Sequence, residues 1–374
     1  MVNLLVDHKT LFLGLNTVAS ALPPKTSLPS LSNILLETQG EKLKLAATDL
    51  DTTVITWVPA TISSQGSIAL PGKKLLEIVR ELDGSDVSIS TSGSRTSISC
   101  EKSSFTLPGS SRDSYPSLPS PGSADSMTEL PLDMVREAIA RTSYAVAGAS
   151  EIRASLTGSL WKFLPEGLEM VATDGHRLAR IRLTQLKRET DTGLEAIIAP
   201  KALNLLQRLS TSDKVLMSSQ GSQVSFHVGD TSIFSRVIDG PYPPYEKVIP
   251  SSNELKLTVN REDLLGALKR MSIIANPATR QIMFTIEHNR VILQAENTDA
   301  GEAREDIEAD YSEDPLQIAF NGNLVMDILR SMNSEDVCLS MHDSSTAVII
   351  TEVTDDDTFD YLTLVMPVRL PDPV

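Results

Sequence analysis

The chain has 374 residues, more than the roughly 100–200 of an ordinary single core, so two or three domains are expected. With 41% hydrophobic and 22% charged residues its composition is globular, and no apolar run approaches the roughly 18 residues of a spanning helix. Thirty-three basic against 49 acidic residues give a net charge of −16, which repels nucleic acid and anionic membranes and on its face excludes a protein that grips DNA.

Asp7, His8 and Lys9 interrupt the N-terminal stretch, against a signal peptide. Cys100 and Cys338 stand far apart with no C-x-x-C spacing, which predicts neither disulfide nor zinc and favours a reducing, cytoplasmic location. In chain order, the pattern predicts a helix over Asp7–Ser20, a strand over Leu43–Asp49, a helix over Gly72–Leu82 and a hairpin over Asp86–Cys100. The same series returns as a helix over Leu132–Ala145, a strand over Leu168–Asp174, a helix over Pro200–Leu209 and a hairpin over Lys214–Val228. It returns again at Asn260–Ile273, Val291–Asn297, Gly322–Met332 and Asp336–Ile350. Asp49, Asp174 and Asn297 close the three equivalent strands at offsets of 125 and 123 residues. The expected fold class is therefore α+β, three tandem repeats each with two helices and short antiparallel strands. Linkers rich in Ser, Pro and Gly, Pro116–Ser126 and Gly240–Asn253, divide the chain into domains 1–126, 127–252 and 253–374.

Charge is unevenly divided. The three repeats carry net charges of −2, 0 and −14, an asymmetry suited to a head-to-tail contact between copies of the chain. The six helical segments carry 12 basic and 8 acidic residues, so the helices are basic where the rest is acidic. Such a helical lining suits diffuse contact with a phosphate backbone and no base readout.

Catalytic and nucleotide-binding motifs are missing: no phosphate loop, dinucleotide fingerprint, zincin helix or nucleophile elbow, and five histidines without ligand spacing. No cofactor or metal is expected. Ala172-Thr-Asp-Gly-His-Arg-Leu178 combines a carboxylate, an imidazole and a guanidinium, which permits an acid/base reading. Asp174 has counterparts in Asp49 and Asn297, however, and so reads as a recurring turn residue. Gly175-His176-Arg177 is what the middle copy adds, and a binding surface is the better expectation.

Val171-Ala-Thr-Asp-Gly-His-Arg-Leu178, Gly240-Pro-Tyr-Pro-Pro-Tyr245, the ending Leu364-Val-Met-Pro-Val-Arg-Leu370 and the threefold repeat together resemble the bacterial DNA sliding clamps, the beta subunits of DNA polymerase III. The resemblance covers the whole chain. It implies a non-enzymatic processivity factor: two chains head to tail in a six-domain ring whose helices line a hole for duplex DNA, contacted without sequence preference. It implies tethering of the polymerase alpha subunit, clamp loader, other polymerases and repair proteins through a short linear motif, an effective-concentration device.

By position in the family pattern, the motif pocket would comprise Leu156, Thr173, Gly175, His176, Arg177 and Leu178. Pro243, Lys247, Val248, Asn321 and Leu324 would join it, with the run Leu364, Val365, Met366, Pro367, Val368, Arg369 and Leu370. Lys25, Lys73, Arg80, Arg153 and Lys201 would face DNA. Lys74, Ile78, Phe105 and Leu107 would meet Ile273, Ile274, Glu302 and Glu305 across the dimer contact. The chain departs from the family at Lys247, where arginine is common, at Thr279 and Leu324, where aromatics occur, and at Ser104, where a basic residue is frequent. Pro371–Val374 continue past the usual ending, either beside the pocket or frayed. An acidic DNA mimic or interaction scaffold without a ring, and a hydrolase using Asp174 and His176, are the competing readings.

Overall fold

The computed structural model describes residues 2–120, 127–165, 167–186 and 195–369. Among them are six α-helices: α1 (His8–Ala19), α2 (Gly72–Glu81), α3 (Leu132–Thr142), α4 (Pro200–Arg208), α5 (Arg261–Ile274) and α6 (Gly322–Arg330). Their starts follow from side chains that satisfy the free amides of a first turn. Asp7 accepts from the Thr10 amide at 2.8 Å, Asn260 from the Glu262 and Asp263 amides, and Asn321 from the Asn323 amide. α4 opens on Pro200, whose missing N–H costs nothing at that position. α3 stops three residues short of expectation. The hydroxyls of Thr142 and Ser143 donate to carbonyls four residues back, Ala138 and Ile139, and the chain tightens into a 3-10 turn over Ser143–Ala145.

The chain packs as two compact units, one of Met1–Asp133 with Lys201–Val237, the other of Met134–Pro200 with Ile238–Val374. The first unit holds a five-stranded sheet in the order Thr61–Ser64, Asn3–Asp7, Asp86–Ser92, Arg95–Cys100, Ser103–Pro108. It also holds an eight-stranded sheet whose quartet from the middle repeat joins a quartet from the first, through Thr231–Arg236 against Thr52–Pro59. The second unit repeats this plan. Its eight-stranded sheet joins the middle and last repeats through Arg177–Leu183 against Asp360–Val365, and its four-stranded sheet runs Gly301–Glu308, Arg290–Asn297, Gln281–Glu287, Leu316–Asn321. The units cut across the repeats because the middle repeat gives one quartet to each eight-stranded sheet.

The cores lie between helices and sheets. Leu11, Leu15 and Val18 of α1 and Leu264, Leu268 and Met271 of α5 are buried. Gly14 explains how closely α1 lies on its sheet: a Cβ there would stand 2.8 Å from Val58 Cγ1 and 2.9 Å from Leu45 Cδ1. A mid-helix glycine costs about 1 kcal/mol relative to alanine, and close approach is what it permits. The connecting segments cover the opposite sheet faces. Tyr115 packs with Leu35, Ala46, Ile55 and Phe234, and Tyr242 and Tyr245 pack with Leu160, Val171, Leu178 and Leu364.

Candidate functional site

The Asp-Gly-His-Arg string is a turn built by its own side chains. Asp174 Oδ1 accepts from the His176 and Arg177 amides at 2.9 and 3.0 Å, and Thr173 Oγ1 donates to the Arg177 carbonyl while accepting from the Gly175 amide. Asp49 accepts from the Asp51 and Thr52 amides, and Asn297 from the Asp299 amide, so the three repeats share the device. Gly175 has φ +89°, a left-handed conformation open to glycine at little cost.

Arg177 is what the middle copy adds. Its guanidinium donates to Asp174 at 3.0 Å and to Asp327 of α6 at 2.7 Å, and lies 5.2 Å from the Tyr144 ring centroid. Burial pushes the Tyr144 hydroxyl up to about 12, so it stays neutral beneath the cation. The C-terminal run is fixed to the same turn. Leu178 pairs with Leu364 and Arg177 with Val365, the Met366 amide donates to the His176 carbonyl at 2.8 Å, and the Val368 amide donates to the Ala319 carbonyl at 2.7 Å.

Leu156, Leu178 and Leu364 belong to one buried apolar cluster with Tyr242 and Tyr245. Met366 and Val248 stay exposed, at 38% and 53%. Pro243, Pro367, Val368 and Leu324 are half-buried, Lys247 and Arg369 are exposed, Val365 is buried, and Asn321 spends its side chain on the α6 cap. Leu370 and the Pro371–Val374 tail lie outside the described residues. Sequence reasoning did not single out Tyr144, Asp327, Tyr242 or Tyr245 as site residues; both linker tyrosines stood in the quoted Pro-Tyr string, whereas Asp327 gave no signal.

The basic residues separate. Lys25, Lys73 and Arg80 are exposed, and the two lysines line one cavity of about 250 Å3 at the start of α2. Lys201 is half-buried, its ammonium donating to the Asp49 carboxylate and the Ala21 carbonyl. Arg153 pairs with Glu151 at 2.8 Å and reaches the Gly175 turn, where a Cβ would stand 3.2 Å from its guanidinium. Of the expected contact residues, Phe105 and Ile273 are exposed, the latter at 77%; Ile78 and Ile274 are half-buried and Leu107 is buried. Lys74 pairs with Glu77, and Arg270 engages Glu305, holding its carboxyl below the usual carboxylate range; Glu302 is exposed.

With this geometry, comparison with known proteins is decisive. Family profiles for the N-terminal, central and C-terminal domains of the DNA polymerase III beta subunit match residues 2–119, 129–244 and 246–369. The chain belongs to the DNA polymerase III beta subunit family. It is 32% identical over 362 residues to the beta sliding clamp of Caulobacter vibrioides, covering 94% of this chain and 96% of that one. It is 30% identical over 366 residues to that of Synechococcus elongatus, covering 96% of each. The DNA polymerase sliding clamp of Pseudomonas aeruginosa superposes with a TM-score of 0.91 at 28% identity, covering 99% of this chain and 100% of that one. A second structure from that organism, bound to griselimycin, superposes equally well. Sliding clamps are non-catalytic processivity factors, and Asp174 and His176 accordingly serve a turn and not a reaction. No described helix is long and apolar enough to cross a membrane.

Proposed function

We propose that this clamp works as a head-to-tail homodimer, a six-domain ring that encircles duplex DNA and tethers polymerase and its accessory proteins through the site around Arg177 and Met366. The free sheet edges carry this reading. The first and middle repeats join through one antiparallel strand pair and the middle and last through another, while Ser103–Pro108 and Gly301–Glu308 end their sheets with no further partner strand among the described residues. These edges are the same two strand types that join elsewhere, so a second copy supplies what each lacks.

Register can be carried across. Two-residue turns make Ser103 the counterpart of Thr231 and Phe105 that of Ile233, and cross-strand pairing makes Ala303 the counterpart of Val54. Ile233 faces Val54, so Phe105 would face Ala303 of the second copy, close to exposed Ile273. By the same 128-residue offset, Lys73 stands where Lys201 stands. Lys73 would bridge to the Ile274 carbonyl and Asn297 of the second copy, as Lys201 does to Ala21 and Asp49. Lys73 is thereby drawn from the DNA-facing set toward the seam; Lys25 and Arg80 stay in it, and Arg153 joins the rim of the motif site.

Exposed Met366 and Val248 over the apolar floor suit aromatic or leucine side chains of a short motif, with the flexible Met366 adapting to several ligands. A labelled C-terminal peptide of the polymerase should bind saturably and lose affinity when Met366–Leu370 is deleted; unchanged affinity would sink the pocket. For the ring, the clamp loaded on circular DNA should stay bound until the circle is cut. Retention indifferent to cutting would argue for an acidic scaffold.

A further inference from the structure

One bridge recurs in all three repeats. Ser110 exchanges backbone hydrogen bonds with Ala69, the Ile238 amide donates to the Ile197 carbonyl at 2.9 Å, and the Val368 amide donates to the Ala319 carbonyl. The strand paired with each bridged residue places Leu35, Leu160 and Met283 opposite, and the next strand over places Ala46, Val171 and Gln294. In the first two repeats the chain runs on past the bridge and lays a tyrosine on this spot. Tyr115, five residues after Ser110, donates its hydroxyl to the Ala46 carbonyl at 3.2 Å, and Tyr242, four after Ile238, donates to the Val171 carbonyl at 3.4 Å.

The third copy of the spot is built differently. None of Arg369–Val374 is aromatic, and the surface there is a groove of about 470 Å3 whose lining includes Thr279, Gln281, Met283, Gln294, Glu296 and Gln317. Among the described residues, none hydrogen-bonds the side-chain amides of Gln281 or Gln294. The apolar pairs Leu35–Ala46 and Leu160–Val171 that receive the tyrosine in cis are here Met283 and Gln294, a thioether and an amide with no side-chain hydrogen bond among the described residues.

We propose that this groove docks an extended segment of a partner protein carrying a tyrosine, which enters in trans where Tyr115 and Tyr242 enter in cis. The hydroxyl meets the Gln294 carbonyl, the ring lies on the Met283 thioether, and the glutamine amides pair with the segment's backbone. Glu296 favours a basic residue beside the tyrosine. The groove borders the proposed motif site, through Val368 at its bridge and Thr279 in its lining, but Met283 and Gln294 are no part of that site, so the proposal does not rest on it.

The test uses the full-length clamp with 13C-labelled methionine methyl groups and, as probe, a synthetic peptide of the chain's own residues 109–118, whose Arg112 and Tyr115 supply both elements. The Met283 methyl resonance should shift saturably while that of Met366 stays in place. Replacing the peptide's tyrosine by alanine, or Gln294→Lys in the clamp, which sets a long cation over the spot and against the peptide's arginine, should each weaken binding at least tenfold with the thermal midpoint kept. A Met283 resonance that does not move, or binding indifferent to the tyrosine, overturns the proposal. So does tighter binding after deletion of Pro371–Val374, which would make the tail the occupant.

Discussion

Arg177 shows how one residue sets one copy of a recurring turn apart from the others. Its guanidinium holds two carboxylates in separate elements and stacks on Tyr144. Arg177→Ala should lower stability by about 2 kcal/mol, the usual worth of hydrogen bonds to charged groups, and weaken motif binding about tenfold. Arg177→Lys should not restore binding, because a single ammonium cannot span both carboxylates in a planar fork. Urea denaturation and peptide titration of both variants check this. His227 offers a second test. Its ring nitrogens contact the Ser225 and Ser232 hydroxyls at 3.0 and 2.8 Å, and burial lowers its pKa from the ordinary 6.5. The unfolded chain therefore takes up this proton first as pH falls. The neutral histidine's contribution is full above 6.5 and is lost as pH drops below it, toward the folded value. His227→Gln should flatten that part of the stability–pH curve. At this scale the turn residues were legible, because Asp49, Asp174 and Asn297 act locally and repeat. Lys201 was not: its partner Asp49 lies 152 residues away, and nothing in its own neighbourhood distinguishes a tied lysine from one facing DNA.

Among elements, the strands and helices were readable from period and caps, whereas their register across distant segments was not. Pairing places Glu195, Lys162, Glu169, Arg182 and Asp360 abreast on five consecutive strands, alternating in sign across the sheet. Arg182 reaches Glu169 at 2.7 Å and Asp360 at 3.8 Å, and Lys162 reaches Glu195 at 3.8 Å. This row shares its strands and register with the Leu178–Leu364 pair, so a slip of one residue would break every one of its contacts and turn Leu178 away from the buried cluster it joins. Glu169 is 2% exposed, with Tyr245 as its other partner, and Tyr245 also belongs to the apolar cluster. Arg182→Met should cost about 3 kcal/mol, since it strands a buried carboxylate. The paired change Arg182→Met with Glu169→Leu should recover most of the loss, and a denaturation cycle over the four proteins measures it. If the double variant is no more stable than the single, the ladder does not act as a unit.

For the whole molecule, the net charge of −16 first argued against DNA and then gained a different meaning. A ring retained by topology needs little affinity, and weak contact leaves it free to slide. The negative charge concentrates in the last repeat, where exposed Glu302, Asp306 and Glu308 outnumber Arg304 along the outer strand Gly301–Glu308, while Ser103–Pro108 carries no charge. An acidic row on a free edge discourages like edges from pairing with each other. In the proposed dimer it leaves backbone pairing with an uncharged edge open, and so would select head-to-tail association over head-to-head. The apolar contribution comes from Phe105 and Ile273, both exposed in the single chain. The combined change Phe105→Asp and Ile273→Asp places two new charges where the proposed seam is driest, and neither residue belongs to the core of its own unit. Sedimentation should then give the mass of one chain in place of two. Far-ultraviolet dichroism and peptide affinity should stay as in the parent, and retention on circular DNA should disappear. A variant that still sediments as two chains would place the contact elsewhere. A parent that already sediments as one chain would remove the ring.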